Sequence, residues 1–412
     1  MTDAEEEYLS DLYDKYDEEG DEEEHFDMIF TEKEDQTKYI NVHPNLSSSE
    51  YQEYRQKVCE IARRVASEKE FFALKEYDYH WEEPYRRYST SLGIRTWYLY
   101  KMRKELSRYK LSVMSYDVLD VLQKLVFPYD QKLYHAIFGL AIGDALGVPF
   151  EFKSRGEFNC EGVSGYGSHC QPEGTWSDDT SMTLATLKSL KDNNGSVNID
   201  DIRKNFLLWL NNHEFTANGE LFDIGNATRK ALVSSKPCMG EYENGNGSLM
   251  RILPLAFVDC YDDEIRAVSA ITHGHWISQE ACVIYVHVAK RLLAGEKIED
   301  IIPTLKYDKP FDRLYRIHEL DASEIKSSGY VVDTLEAALW AVGHIVWNED
   351  HTAYNCKDYG SDVLDAINLG DDTDTVGAVT GGLAGIIYGL GYYGEEWLRK
   401  LRNKELILSC LW

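Results

Sequence analysis

Along most of the chain, apolar residues return every three to four positions, the period of a helix, while the two-residue alternation of a half-buried strand is scarce. Tyr54, Val58, Ile61, Ala62 and Val65 fall on one helical face behind Ser47-Ser48-Ser49-Glu50, a start resembling a capping box. After Pro128 the sequence turns rich in Leu, Ala and Gly, and long helical stretches alternate with Gly/Asn/Asp loops. Met182, Leu184, Ala185, Leu187 and Leu190 follow Ser177-Asp178-Asp179-Thr180, which places Ser177 as an N-cap and both Asp in the first turn. A second Asp-rich start, Asp371-Asp372-Thr373-Asp374-Thr375, opens a helix with the apolar body Val376–Gly385. Gly139, Gly143 and Gly147, and again Gly377, Gly381 and Gly385, recur at four-residue spacing on one face. Each glycine costs about 1 kcal/mol relative to alanine inside a helix, so these faces are expected to pack closely against a backbone or a ligand. The pattern predicts an all-α protein.

Length and charge refine this into parts. With 412 residues, the chain exceeds one ordinary core and is expected to comprise an acidic arm (1–40), a helical accessory region (41–128) and an enzyme domain (129–412). The net charge is −28, and residues 1–36 alone hold 17 Asp/Glu against two Lys. Residues 55–110 carry 14 Lys/Arg against eight Asp/Glu, so the arm has a basic segment on which it could fold back. So acidic a chain is not expected to bind nucleic acid, whose phosphates need Lys and Arg. The longest apolar stretch, Val376 to Leu390, is broken by five glycines and is too short to span a bilayer, so no membrane partner is expected. The N-terminus lacks the basic start and apolar run of a secretory signal, and a cytoplasmic location is expected. Eight scattered cysteines without a C-x-x-C pair suggest reduced structural thiols rather than a zinc site.

The two Asp-rich starts differ in what they demand. Two acids in the first turn of a helix interact well with its dipole, so residues 177–180 admit a purely structural reading. Three carboxylates at the mouth of a buried helix repel one another by roughly 4 kcal/mol per pair at 4 Å and an effective dielectric of 20, beyond what the dipole returns. A divalent cation offsets that repulsion, and oxygen ligands suit Mg²⁺, Mn²⁺ or Ca²⁺ rather than zinc. The spacing does not match an EF-hand, which requires Gly at its sixth position and Glu at its twelfth. The Gly/Asn segment Asn244–Arg251 reads as either a plain turn or an anion-binding nest with Arg251 beside a phosphate. Thr272-His273-Gly274-His275 offers two imidazoles that are either structural or in contact with substrate. No Walker A, G-x-S-x-G or G-x-G-x-x-G motif following a strand is present, which argues against nucleoside-triphosphate hydrolysis and a serine nucleophile.

Taken in order, Gly139–Gly147 with Glu151, Trp176–Thr180, Asn246–Arg251, Thr272-His273 and Gly370–Thr375 resemble the motifs of ADP-ribosylglycohydrolases of the dinitrogenase reductase-activating type. The resemblance spans about Tyr134 to Gly391. It implies an orthogonal helical bundle with two Mg²⁺ or Mn²⁺ ions held by Ser177, Asp178, Asp179, Asp372, Asp374 and Thr375. It also implies ADP-ribose contacts from Asn246, Gly247, Ser248, Arg251 and His273, and catalytic roles for Glu151, on a mobile loop, and for Asp179. The implied substrate is an ADP-ribosylated protein, most simply one modified on arginine. Some relatives of this type are immunity proteins against ADP-ribosyltransferase toxins, which makes such a toxin a candidate partner for the acidic arm. One residue departs from the pattern: Asp371 stands where the family usually has a small residue, and either adds charge to the metal site or points outward.

Overall fold

The computed structural model describes residues 130–344 and 357–412; the arm and accessory region expected over 1–128 lie outside the described residues. The described chain contains twelve α-helices and no extended strand, only three isolated bridges. In chain order the helices are α1 (Gln131–Gly147), α2 (Asp178–Asp192), α3 (Ile199–Asn212), α4 (Asn226–Ser234), α5 (Asp262–Ser269), α6 (Trp276–Leu293), α7 (Ile298–Ile301), α8 (Val331–Gly343), α9 (Tyr359–Ile367), α10 (Thr373–Tyr388), α11 (Gly391–Lys400) and α12 (Lys404–Cys410). Asn246–Arg251 and Leu253–Phe257 form 3-10 helices.

The centre of the fold is the antiparallel pair α1 and α10, which make the most extensive helix–helix contact. The expected glycine faces meet there. A Cβ on Gly143 would lie 2.1 Å from the carbonyl oxygen of Gly377, and one on Gly139 would lie 2.4 Å from that of Gly381. The helices thus touch backbone to backbone, and Thr373 Oγ1 donates to the Gly147 carbonyl at 2.7 Å where α1 ends and α10 begins. That crossing brings the C-terminal end of α1 against the acidic start of α10. Helices α8 and α9 pack on α10 from other sides, and Tyr359 of α9 donates to the Gly139 carbonyl at 2.7 Å.

The C-terminal helices close the bundle over α2. Trp176, just before α2, is buried and donates through Nε1 to the Arg402 carbonyl at 3.0 Å. Lys191 at the other end of α2 donates to the carbonyls of Ser409 and Leu411, both at 2.7 Å. The start of α2 is therefore held in place from outside as well as from α1. The six cysteines among the described residues are free thiols. No described helix is long and apolar enough to cross a membrane.

Candidate active site

The mouths of α2 and α10 converge, and Asp144 of α1 anchors the first of them. Its buried carboxylate accepts from the Ser177 amide through both oxygens, at 2.9 and 3.0 Å, from the Thr180 amide at 3.0 Å and from Thr180 Oγ1 at 2.6 Å. Burial pushes Asp144 up to about 6, against the pull of those three donors. Ser177 caps α2 as expected, its Oγ accepting from the Asp179 amide at 3.3 Å. The same hydroxyl lies 3.2 Å from Asp179 Oδ2 as a donor.

From the other helix, Thr375 Oγ1 donates to Asp179 Oδ2 at 3.4 Å, so the two acidic starts share one carboxylate. Asp372 caps α10 without a side-chain bond to the helix amides, and its Oδ2 accepts from Asn246 Nδ2 at 3.0 Å. Asp179 Oδ1, Asp372 Oδ1 and Asp374 Oδ2 are buried without a hydrogen-bond partner. Burial pushes the carboxyls of Asp178, Asp179 and Asp374 well above the ordinary carboxylate range, and neighbouring carboxylates push them further. Buried anions are tolerated only when paired or coordinated. Three orphaned carboxylate oxygens in one cluster, with hydroxyls between them, fit a hard divalent cation.

The structure adds two residues that sequence reasoning missed, His169 and Asp223. One ligand atom from each of Glu151, His169, Asp223 and Asp374 lies within 4.8 Å of the other three. His169 Nε2 contacts Glu151 Oε2 directly. Burial raises the Glu151 carboxyl to about 7, and the hydrogen bond to Glu151 raises the imidazole of His169 above its ordinary value. Both missed residues sit outside helices, where no periodicity marks them.

The loop carrying Glu151 is tied down. Ser168 donates to the Glu151 carbonyl at 2.5 Å, and Arg155 donates to the carbonyls of Leu369 at 3.0 Å, Ile325 at 2.6 Å and Ala322. Phe152 and Asp371 hold each other: the Phe152 amide donates to the Asp371 carbonyl at 2.7 Å, and the Asp371 amide to the Lys153 carbonyl at 2.8 Å. Asp371 has φ 59 and is exposed, so its side chain points outward and adds no ligand. Asp suits that left-handed backbone, since after Gly it is Asn and Asp that tolerate the region best.

The residues expected around ADP-ribose divide. Asn246 reaches the carboxylate cluster, donating also to Thr334 Oγ1 at 3.0 Å. The segment read as either a plain turn or an anion-binding nest is a 3-10 helix, and the Asn246 amide is spent on the Gly329 carbonyl at 3.1 Å. Arg251 does not stand free for a phosphate. It is fully buried, donates to Gly247 O and to Thr272 Oγ1 at 2.9 Å, and lies 4.7 Å over the Phe206 ring. Ser248 accepts from Ser269 Oγ at 3.0 Å in the interior. His273 is buried and neutral, its pKa lowered to about 3 by burial and then by Arg251. A Cβ on Gly247 would come within 2.9 Å of the His273 ring, so that glycine makes room for the imidazole. Gly247, Ser248, Arg251 and His273 thus brace the segment that presents Asn246.

Comparison with known proteins bears on the family and the fold. The family model described as ADP-ribosylglycohydrolase matches residues 128–411. A Pseudomonas putida (strain GB-1) protein, ADP-ribosylarginine hydrolase Tri1, is 34% identical over 284 residues, covering 65% of this chain and 73% of its own. The Serratia proteamaculans (strain 568) protein of that name is 34% identical over 292 residues, covering 67% and 76%. The ADP-ribosyl-[dinitrogen reductase] glycohydrolase of Rhodospirillum rubrum is 30% identical over 293 residues, covering 65% and 90%. A solved structure titled ADP-ribosylglycohydrolase-related protein complex superposes with a TM-score of 0.55 at 32% identity, covering 68% of this chain and 95% of that one.

Proposed function

The chain belongs to the ADP-ribosylglycohydrolase family, and on that premise we propose that it hydrolyses the N-glycosidic bond between ADP-ribose and an arginine side chain of a modified protein. The observation that carries the reading is the buried carboxylate cluster at the joined mouths of α2 and α10, with three oxygens left without donors. The arginine linkage is supported by the names of the two relatives at 34% identity.

Ser177, Asp178, Asp179, Asp372, Asp374 and Thr375 would hold two Mg²⁺ or Mn²⁺ ions, with Glu151, His169 and Asp223 at the edge of the set beside Asp374. Such ions, when bound, supply electrostatic stabilisation and orientation of oxygen groups. The protein's own groups do the rest. Asp144 fixes the amides of Ser177 and Thr180, and so aims Asp178 and Asp179. Asn246 fixes one oxygen of Asp372. Glu151, raised to about 7 by burial, is matched to proton transfer near neutral pH, with His169 orienting its Oε2. Asp179 is the second proton-handling candidate, since its Oδ1 has no donor.

The test is release of ADP-ribose from an ADP-ribosylarginine protein. Asp372→Ala should lower turnover by about 10³-fold or more while the melting profile keeps its shape, because it removes an interaction made at the reacting centre. Unchanged turnover in Asp372→Ala, or wild-type turnover indifferent to EDTA, overturns the assignment.

A further inference from the structure

Phe152 is 72% exposed although Glu151 beside it is buried, and it stands at φ 67, a backbone region that a bulky residue seldom occupies. Strain of this kind persists only where the surroundings impose it. Here they do: the paired amides of Phe152 and Asp371 and the three carbonyl bonds of Arg155 hold the ring out toward solvent. The ring is not isolated there. Its centroid lies 5.7 Å from that of His169, and the His169 ring lies 5.4 Å from Phe222 on its other contact.

Two sequence neighbours repeat one arrangement. Glu151-Phe152 and Phe222-Asp223 each put a carboxylate into the four-residue cluster and an aromatic ring against His169. Carboxylate oxygens beside aromatic faces are the chemistry that recognises a planar, delocalised cation. A guanidinium substituted by ADP-ribose keeps its plane and its charge. An uncharged acceptor, such as a serine hydroxyl, gains nothing from such a surface. Resting on the arginine reading above, we propose that Phe152, His169 and Phe222 form an aromatic lip that receives the acceptor guanidinium beside Glu151 and Asp223, making Phe152 a determinant of acceptor specificity.

The experiment compares wild type with Phe152→Ala, Phe152→Leu and Phe152→Tyr on ADP-ribosyl-agmatine, ADP-ribosylarginine protein and ADP-ribosylserine peptide, with free ADP-ribose as a competitive inhibitor. Circular dichroism melting confirms that each variant folds. Loss of the aromatic face should raise KM for ADP-ribosyl-agmatine by about 3- to 30-fold in the Ala and Leu variants. Phe152→Tyr should stay near wild type, inhibition by ADP-ribose should shift less than about twofold, and any preference over the serine peptide should shrink by the KM factor. An unchanged KM in Phe152→Ala overturns the proposal. So does a parallel weakening of ADP-ribose inhibition, which would place the ring against the nucleotide. An effect confined to the protein substrate also overturns it, placing the ring against the target's surface. Wild-type enzyme that cleaves the serine linkage but ignores ADP-ribosyl-agmatine sinks the arginine reading, and the proposal with it.

Discussion

At the mouths of α2 and α10, Asp179 Oδ1, Asp372 Oδ1 and Asp374 Oδ2 lie buried with nothing to accept from. Along the adjoining 3-10 helix, the terminal nitrogens of the equally buried Arg251 are spent on Gly247, Val268 and Thr272, with only its Nε left over. The two regions meet at Asn246, which opens the 3-10 segment and donates to Asp372. Both present motif-like polar residues in the sequence, and both bury them. They differ in where the polar atoms find partners. The Arg251 region is nearly self-sufficient in hydrogen bonds. The carboxylate region leaves three buried oxygens without a donor, and it is there that the proposed cations would sit.

Removing a member from each region should separate the two kinds of cost. Arg251→Ala should cost about 3 to 5 kcal/mol of folding stability, since it opens a cavity over Phe206 and strands the Gly247 and Thr272 acceptors. The folded fraction should keep a near-wild-type KM for an ADP-ribosyl substrate. Urea unfolding with parallel kinetics checks this, and a raised KM with intact stability would return Arg251 to the binding surface. Asp144→Ala should cost somewhat less, about 2 to 4 kcal/mol, because the amides of Ser177 and Thr180 and the Thr180 hydroxyl lose their acceptor. It should also weaken Mn²⁺ binding, measured by calorimetric titration; stability loss with unchanged Mn²⁺ affinity would make Asp144 a structural residue only.

A smaller effect is set by pH. Burial raises the carboxyls of Glu151 to about 7 and Asp144 to about 6, while the same groups titrate near 4 in an unfolded chain. Their contribution to folding is complete below about pH 4 and is lost as pH rises through 6 and 7. The metal-free protein should therefore melt several degrees lower at pH 8 than at pH 5. Saturating Mn²⁺ should flatten that slope, because the cation takes the place of the protons. A pH-independent melt in chelator would show that burial does not raise these carboxyls.

The same contrast explains what could be read in the chain beforehand. The glycine faces of α1 and α10 were legible because spacing within one helix reports directly on what that face can touch. The Asp-rich starts were legible because capping and repulsion are local. Asp144 left a weaker signal, a single acid inside an apolar helix, costly unless something pairs with it. His169 and Asp223 left none, since only the folding of two loops brings them to Glu151. The burial of Arg251 over Phe206 was not legible, because a Gly/Asn run followed by Arg looks the same whether it faces a phosphate or a ring. Asp371 was visible as a departure, but its outward direction depends on a left-handed backbone that composition does not show.

Thermal unfolding of wild type and Asp374→Asn, each in chelator and in saturating Mn²⁺, tests the central claim most directly. If the carboxylates form a cation centre, wild type gains stability with Mn²⁺ as binding to the folded state requires. Asp374→Asn should melt above wild type in chelator, where one repelling charge is gone, and gain little from Mn²⁺. A wild-type melt unchanged by Mn²⁺, with Asp374→Asn melting lower under both conditions, would contradict the account.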